Sequence, residues 1–260
     1  MPPLLLRSAL SFLAFGPLAW GTPAAVAPTS RATDASTPAV AARSASGVAF
    51  FDPARIDVAT LLPAPPLPET TAARAELETV LQVQAWRTEA QIAWARLTDA
   101  SDFFGDFRAC GIFTPAFNGD NLPFLAQLWQ DVRAHYRAHG NGAKDRFRRP
   151  RPFQQDSRVK LCVDEAAGHG YPSGHATSAY LRAELLAALF PDQRSAIADA
   201  ARRIAWGRVI AGAHYPSDLE AGRRLAAAVW TELERSPAFQ ARLSEVRAEI
   251  ARTKDLLPGK

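Results

Sequence analysis

Two of the five histidines in this chain stand beside groups that bind oxyanions. His175 closes Gly170-Tyr-Pro-Ser-Gly-His175. His214 lies in Arg208-Val-Ile-Ala-Gly-Ala-His214-Tyr-Pro-Ser-Asp218, which begins 33 residues after His175. Upstream, Lys144-Asp-Arg-Phe-Arg-Arg-Pro-Arg151-Pro152 holds four arginines and a lysine within nine residues. A histidine that can attack, a second that can move a proton, and forked cations to hold spreading negative charge are the parts that phosphate chemistry needs.

Each motif has a physical reading and a bland one. Pro172 cannot lie inside a helix, while the chain from Ala176 is strongly helical, so Ser173, Gly174 and His175 fall at a helix N-terminus. Free backbone N–H groups there attract anions, Gly174 lets a ligand approach the backbone, and the Ser173 hydroxyl can donate to a phosphoryl oxygen. The bland reading is a serine cap and a glycine turn. Gly212 and Pro216 interrupt two helical stretches, which puts His214 in a tight turn between antiparallel helices and Asp218 in the first turn of the second. Four residues around such a turn bring the carboxylate to one imidazole nitrogen, fix the tautomer and leave the other nitrogen free to attack. Its bland counterpart is a capping aspartate and a packed histidine. Arg208, Arg151 and Lys144 supply the charge that the equatorial oxygens of a pentavalent phosphoryl group require. Arg146, Arg148 and Arg149 are assigned to a solvated rim or to internal ion pairs. His135 and His139 fall at the polar end of a helix and are read as structural. His169, just before Gly170-Tyr171, is near enough to line an entrance.

The elements that must carry these residues are helices. Apolar spacing predicts a long one from 71 to 97, with Leu77, Val80, Leu81 and Ile92 broadly on one side. Others are expected at 99–108, 120–139 (ended by Gly140-Asn-Gly142), 175–190, 192–212 and 216–234. A last one starts after Ser236-Pro237, where serine can cap and proline can occupy the first turn. Few runs alternate with period two, so the fold class is all-α, a compact helical bundle with the chemistry at helix ends and inter-helix turns. Leu61-Leu-Pro-Ala-Pro-Pro-Leu-Pro68 must be extended and reads as a strap over the surface. Trp86, Trp94, Trp129 and Trp206 are spaced like core residues.

At 260 residues, one helical domain over 50–260 is the default organisation. The net charge of +4 is concentrated near Lys144–Arg151, which argues for a lined pocket and against a nucleic-acid face. Arg7 followed by an apolar run from Ser8 to Gly21 reads as a cleaved export signal within 1–27, with Ala19-Trp-Gly21 and Ala25-Val-Ala27 as alternative cleavage sites. The run is short of the ~20 residues a spanning helix needs, and no later segment supplies them. Residues 28–49, rich in Ala, Thr, Ser and Pro, read as a flexible linker. The expected location is periplasmic or secreted. In such a compartment Cys110 and Cys162, the only cysteines, are most simply one disulfide, which would contribute ~4 kcal/mol by closing its loop; two buried thiols are the other reading.

Taken together, Lys144-x6-Arg151-Pro152, Pro172-Ser-Gly-His175 and Arg208-x5-His214-x3-Asp218 resemble the three-part signature of the type 2 phosphatidic acid phosphatase superfamily. An exported form with a proline-rich strap before the helices is similar to the bacterial class A non-specific acid phosphatases, over about residues 50 to 255. The resemblance implies that His214 is a nucleophile forming a phosphohistidine and that Asp218 orients it. It makes His175 the acid for the leaving alcohol and then the base for water. It makes Lys144, Arg151, Ser173, Gly174 and Arg208 the phosphate holders. It implies no metal, no cofactor, soluble phosphate monoesters as partners, and a homo-oligomer. One residue departs from the signature: Gly207 stands where a serine commonly precedes the arginine. Vanadium-dependent haloperoxidases share the signature, with a vanadate in the same pocket on the histidine at 214. A phosphate-binding module without turnover is the third reading.

Overall fold

A computed structural model of the protein describes residues 49–100 and 102–259, and every regular element in them is helical. The expected leader and nearly all of the expected linker lie outside the described residues. In chain order the α-helices are α1 (Val58–Leu61), α2 (Thr71–Trp86), α3 (Glu89–Leu97), α4 (Gly105–Ala109) and α5 (Pro123–Phe147). They continue as α6 (Pro152–Gln155), α7 (Gly174–Leu189), α8 (Arg194–Ile210), α9 (Pro216–Arg235) and α10 (Pro237–Arg252). The all-α reading therefore stands, and no described helix is long and apolar enough to cross a membrane.

Three helices differ from expectation. Of the helix expected over 99–108 only α4 forms, and Asp102 just before it accepts the N–H groups of Phe104 and Gly105. The single helix expected over 71–97 is broken, because Thr88 and Gln91 form a reciprocal capping box that starts α3. Arg87 is extended there, and its guanidinium bridges the carbonyls of Ile210 (2.7 Å) and Lys160 (3.0 Å), so tertiary bonds fix the break. Conversely, Gly140-Asn-Gly142 does not end α5. A Cβ on Gly140 would lie 3.9 Å from Leu225 of α9, and packing carries the helix on to Phe147 despite the weak local propensity. Arg148, left-handed at φ 46°, stops it by donating its N–H to the carbonyl of Lys144. Lys144 thus belongs to the same long helix as His135, with consequences for the cleft described below.

The buried centre is α7, apolar on nearly all sides through Ala176, Ala179, Leu181, Leu185 and Leu186, and flanked by α8 and α9. On α9, a Cβ at Gly222 would come within 2.8 Å of the Ser173 carbonyl. The glycine lets α9 lie directly against the start of α7, so two motifs far apart in sequence share one place. The strap holds to the bundle through Tyr171, whose hydroxyl donates to the Pro63 carbonyl at 2.5 Å. At the described N-terminal edge Phe50 donates its N–H to His135 Nε2 at 3.1 Å, and Phe51 stacks on His135 and His139. These two histidines are buried packing residues in the body of α5, not dipole partners at its end, and burial lowers the His139 pKa.

The expected disulfide is not formed. Cys110 packs against the main core at the end of α4, while Cys162 packs in a separate cluster with Ile210 and Ala213, and both thiols are free. Burial pushes the Cys110 thiol up to about 11. Of the tryptophans read as core, Trp94 and Trp129 are buried, but Trp86 is 82% exposed at the end of α2.

Candidate active site

Three helix ends and one turn converge. Arg208 lies in the last turn of α8, and its carbonyl accepts both Ala213 N–H (3.0 Å) and His214 N–H (3.3 Å), which winds the chain into a tight return before α9. Gly212 takes φ 76° in that return, a conformation an L side chain rarely adopts. Asp218, in the first turn of α9, accepts the Tyr215 N–H at 3.0 Å and sits 3.2 Å from His214 Nδ1 through the same Oδ2. Its backbone carbonyl accepts Ser173 N–H at 2.9 Å, tying the start of α9 to the start of α7. Ser173 caps α7 by accepting Ala176 N–H, and its hydroxyl hydrogen is not consumed by that bond.

The His214 ring is buried, and its two nitrogens have different partners. Nδ1–H donates to the Asp218 carboxylate, so Nε2 carries the lone pair. Arg151 Nη1 donates to that Nε2 at 2.9 Å and to the Ala213 carbonyl at 3.2 Å, while Arg151 Nε is held by the Gly168 carbonyl. Burial first, then Arg151, Arg208, His175 and Lys144, hold the His214 pKa well below the ordinary histidine value, so the ring is neutral. Asp218 is pushed up by burial, against Arg149, the Tyr215 N–H and Arg151, which favour its charge.

His175 sits across the cleft at the start of α7. Its Nε2 donates to the Asp99 carbonyl at 2.9 Å, leaving Nδ1 as the second nitrogen. Burial and then Arg208 push its pKa down to about 4, with the Asp99 bond opposing. Lys144 is lowered by burial and by Arg151, and Arg151 by burial and by Arg208, as expected where several cations share one wall.

A cleft of about 210 Å³ opens onto Lys144, Arg151, Gly174, His175 and His214, and Gly174 has nothing within 4 Å of where a Cβ would project. Ser173, Arg208 and Asp218 stand behind this surface. Arg208 pairs through Nη1 with the Asp99 carboxylate at 2.5 Å, and among the described residues its buried Nε has no hydrogen-bond partner. The structure thus gathers all eight residues singled out from the motifs, five at the surface of the cleft and three in support.

Two supporting residues, Asp99 and Glu76, were invisible in the sequence, and a third, Arg149, was read there only as a rim or ion-pair residue. Asp99, between α3 and α4, holds Arg208 by its side chain and His175 by its carbonyl. Arg149, assigned to a rim or an ion pair, is a buried ion-pair residue: it donates to Asp218 Oδ1 at 2.7 Å and to Glu76 at 2.6 Å, and lies 4.1 Å above the Tyr215 ring. Burial works against its charge, but Asp218 and Glu76 outweigh it and raise its pKa. Glu76, from α2, also accepts Ser217 N–H at 2.7 Å. Only a Pro-Arg neighbour marked Arg149, and no motif marks Asp99 or Glu76. His169 makes no contact with these groups that would give it a part.

Among known proteins, this chain is similar to the non-specific acid phosphatase of Salmonella typhimurium, 33% identical over 119 residues that make up 44% of this chain and 48% of that protein. An acid phosphatase of Zymomonas mobilis is 32% identical over 139 residues, 51% of this chain and 52% of that protein. The non-specific acid phosphatase of Providencia stuartii is 32% identical over 117 residues, 43% and 47% of the two chains. The chain spans about half the length of these relatives. Residues 135–239 match the model of the PAP2 superfamily, and that segment holds all eight residues gathered at the cleft. Over that segment the chain is similar to the PAP2 superfamily.

Proposed function

We propose that the protein is an exported acid phosphatase that hydrolyses phosphate monoesters through a phosphohistidine on His214, with no metal ion taking part. The observation that carries this reading is the division of the His214 ring: Nδ1–H on a buried carboxylate, and a lone pair on Nε2 at the cleft. Acid phosphatases among the similar proteins support the same reaction class.

The ester phosphate enters against Lys144, Arg151, the N-terminal N–H groups of α7, the Ser173 hydroxyl and the unpaired Nε of Arg208. Arg151 exchanges His214 Nε2 for a phosphoryl oxygen, which frees the lone pair. Nε2 attacks phosphorus, the ester P–O bond breaks, and its electron pair stays on the leaving oxygen. Protonated His175 gives that oxygen a proton, so an alcohol departs and the phosphoryl group remains on Nε2. His175, now neutral, takes a proton from water as the water oxygen attacks. The P–N bond breaks, its electrons return to Nε2, and orthophosphate leaves. Asp218 stabilises the ring while it carries the phosphoryl group, and the cations of the chain offset the charge gathering on the equatorial oxygens.

The experiment is hydrolysis of p-nitrophenyl phosphate at acidic pH with chelator present, by the wild type and by His214→Ala. Turnover that vanishes in the variant, with an acid-labile phosphoprotein trapped only in the wild type, supports the mechanism. No turnover in either protein rejects it and makes vanadate loading the next test.

A further inference from the structure

The wall of the cleft beyond the phosphate holders is built by one face of α5. Arg133, Arg137, Asn141 and Lys144 lie along it, one to two turns apart, and all line the cleft with Trp129, Tyr136 and Gly140 between them. Helical rise places Arg137 about 10 Å and Arg133 about 16 Å along the axis from Lys144. This stripe exists because α5 runs through Gly140-Asn-Gly142 instead of ending there.

The charges on it are unspent. Among the described residues neither Arg133 nor Arg137 makes an ion pair or hydrogen bond, although most other described arginines do. Among the described residues no aspartate or glutamate lines the cleft. Arg133 and Arg137 are four residues apart on a helix, a spacing at which like charges destabilise. Arg137 also works against the charge of Lys144. The cleft is also lined by Ala166, Pro172, Thr177 and Ser178, which are small and uncharged.

We propose that the cleft prefers phosphate esters whose leaving group carries a second anionic group, held by Arg137 and Arg133 while Lys144 and Arg151 hold the scissile phosphate. This rests on the phosphatase reading of the cleft, and it names the substrate class that the phosphate holders alone leave open. A bisphosphorylated sugar or alcohol of about six carbons spans the interval from Lys144 to Arg137. A neutral alcohol of the same length leaves both arginines without a partner.

The test separates binding from turnover. Calorimetry compares a six-carbon alkane bisphosphonate, which cannot be hydrolysed, with the monophosphonate of the same chain length. The wild type should bind the bisphosphonate at least about tenfold more tightly, with a steeper fall in affinity as salt rises. In Arg133→Gln/Arg137→Gln, and more mildly in Arg137→Gln alone, that ratio should fall toward one, with the thermal unfolding midpoint reporting that the variants fold. The ratio of kcat/KM for a hexose bisphosphate over a hexose monophosphate should follow. Equal affinities in the wild type overturn the proposal, and so does a ratio that survives both substitutions. If the wild type binds the bisphosphonate preferentially but hydrolyses no monoester, the phosphatase reading fails and the anion subsite stands.

Discussion

Arg151 Nη1 lies 2.9 Å from His214 Nε2, so in the free protein the nitrogen that attacks in the proposed mechanism is covered by the cation proposed to receive the phosphate. In that mechanism one guanidinium has two tasks, guarding the lone pair and later neutralising charge on phosphorus, and phosphate binding would switch it from one to the other.

Arg151→Ala removes both tasks. By comparison with the loss of a single charge-stabilising donor in acyl transfer, kcat should fall about 10² to 10³-fold. The same change takes away one of the cations that hold the His214 pKa down, so that pKa should rise toward the ordinary value. Steady-state kinetics and titration of the His214 ring by NMR check the two halves separately. A variant with normal kcat and a raised KM would mean that Arg151 only binds substrate.

Asp218→Asn keeps the shape of the side chain and removes its charge. Asparagine can offer its NH₂ to Nδ1 and so reverse the tautomer, which in the analogous acid-oriented histidine of serine hydrolases costs about 10⁴ in kcat. Arg149 would also lose the partner it meets at 2.7 Å, and a buried charge stripped of its partner typically costs about 3–5 kcal/mol. Glu76 still faces Arg149 and offsets part of that loss. Activity should therefore fall by far more than stability explains, as activity assays and denaturant unfolding of one preparation would show.

In the proposed mechanism His175 governs the pH dependence. Its pKa in the folded chain is about 4, below the ordinary value, so between about pH 6.5 and about pH 4 the unfolded chain binds a proton that the folded one does not. Stability therefore rises with pH across that window and is lost as pH falls through it. A bound phosphate reverses the local cause by placing negative charge beside the ring, so His175 is expected to hold its proton in the complex. Phosphate should accordingly raise Tm more at about pH 5 than at about pH 8. The rate should fall toward alkaline pH as the acid is lost. A Tm shift by phosphate that is the same at both pH values would remove His175 from the acid role.

The groups gathered at the cleft were legible because each motif is local: a turn of four residues presents Asp218 to His214, and a proline before a helix fixes Ser173, Gly174 and His175 at its start. What holds them in place was not, because those bonds span the chain. Asp99 reaches Arg208 across 109 positions and Glu76 reaches Ser217 across 141, and no spacing rule connects them. The course of α5 was misread for a related reason. Gly140 and Gly142 are weak helix formers, and only packing such as that of Gly140 against α9 outweighs their propensity. The cysteines failed in the opposite way, since a pairing inferred from number and compartment is overruled by two thiols that belong to different core clusters.

Gly207 is the one position that departs from the signature, and the structure gives it a reason. A Cβ there would lie 3.2 Å from the Thr98 hydroxyl and 3.7 Å from the Trp94 ring, because α3 packs against α8 at this point. Thr98 is buried, its hydroxyl donates to the Trp94 carbonyl at 3.0 Å, and it directly precedes Asp99. Gly207→Ser should push on Thr98 and, through it, on the residue that holds both Arg208 and His175. Overpacking of this kind costs about 1–3 kcal/mol, and kcat should drop alongside it because the displaced group is Asp99. Thr98→Ala in the same chain opens room for the serine and should restore both. Stability recovered by the second substitution without recovery of kcat would break the link from Gly207 through Thr98 to the cleft, whereas recovery of both would establish that the Thr98 hydroxyl, just past the end of α3, occupies the space a serine on α8 would otherwise fill.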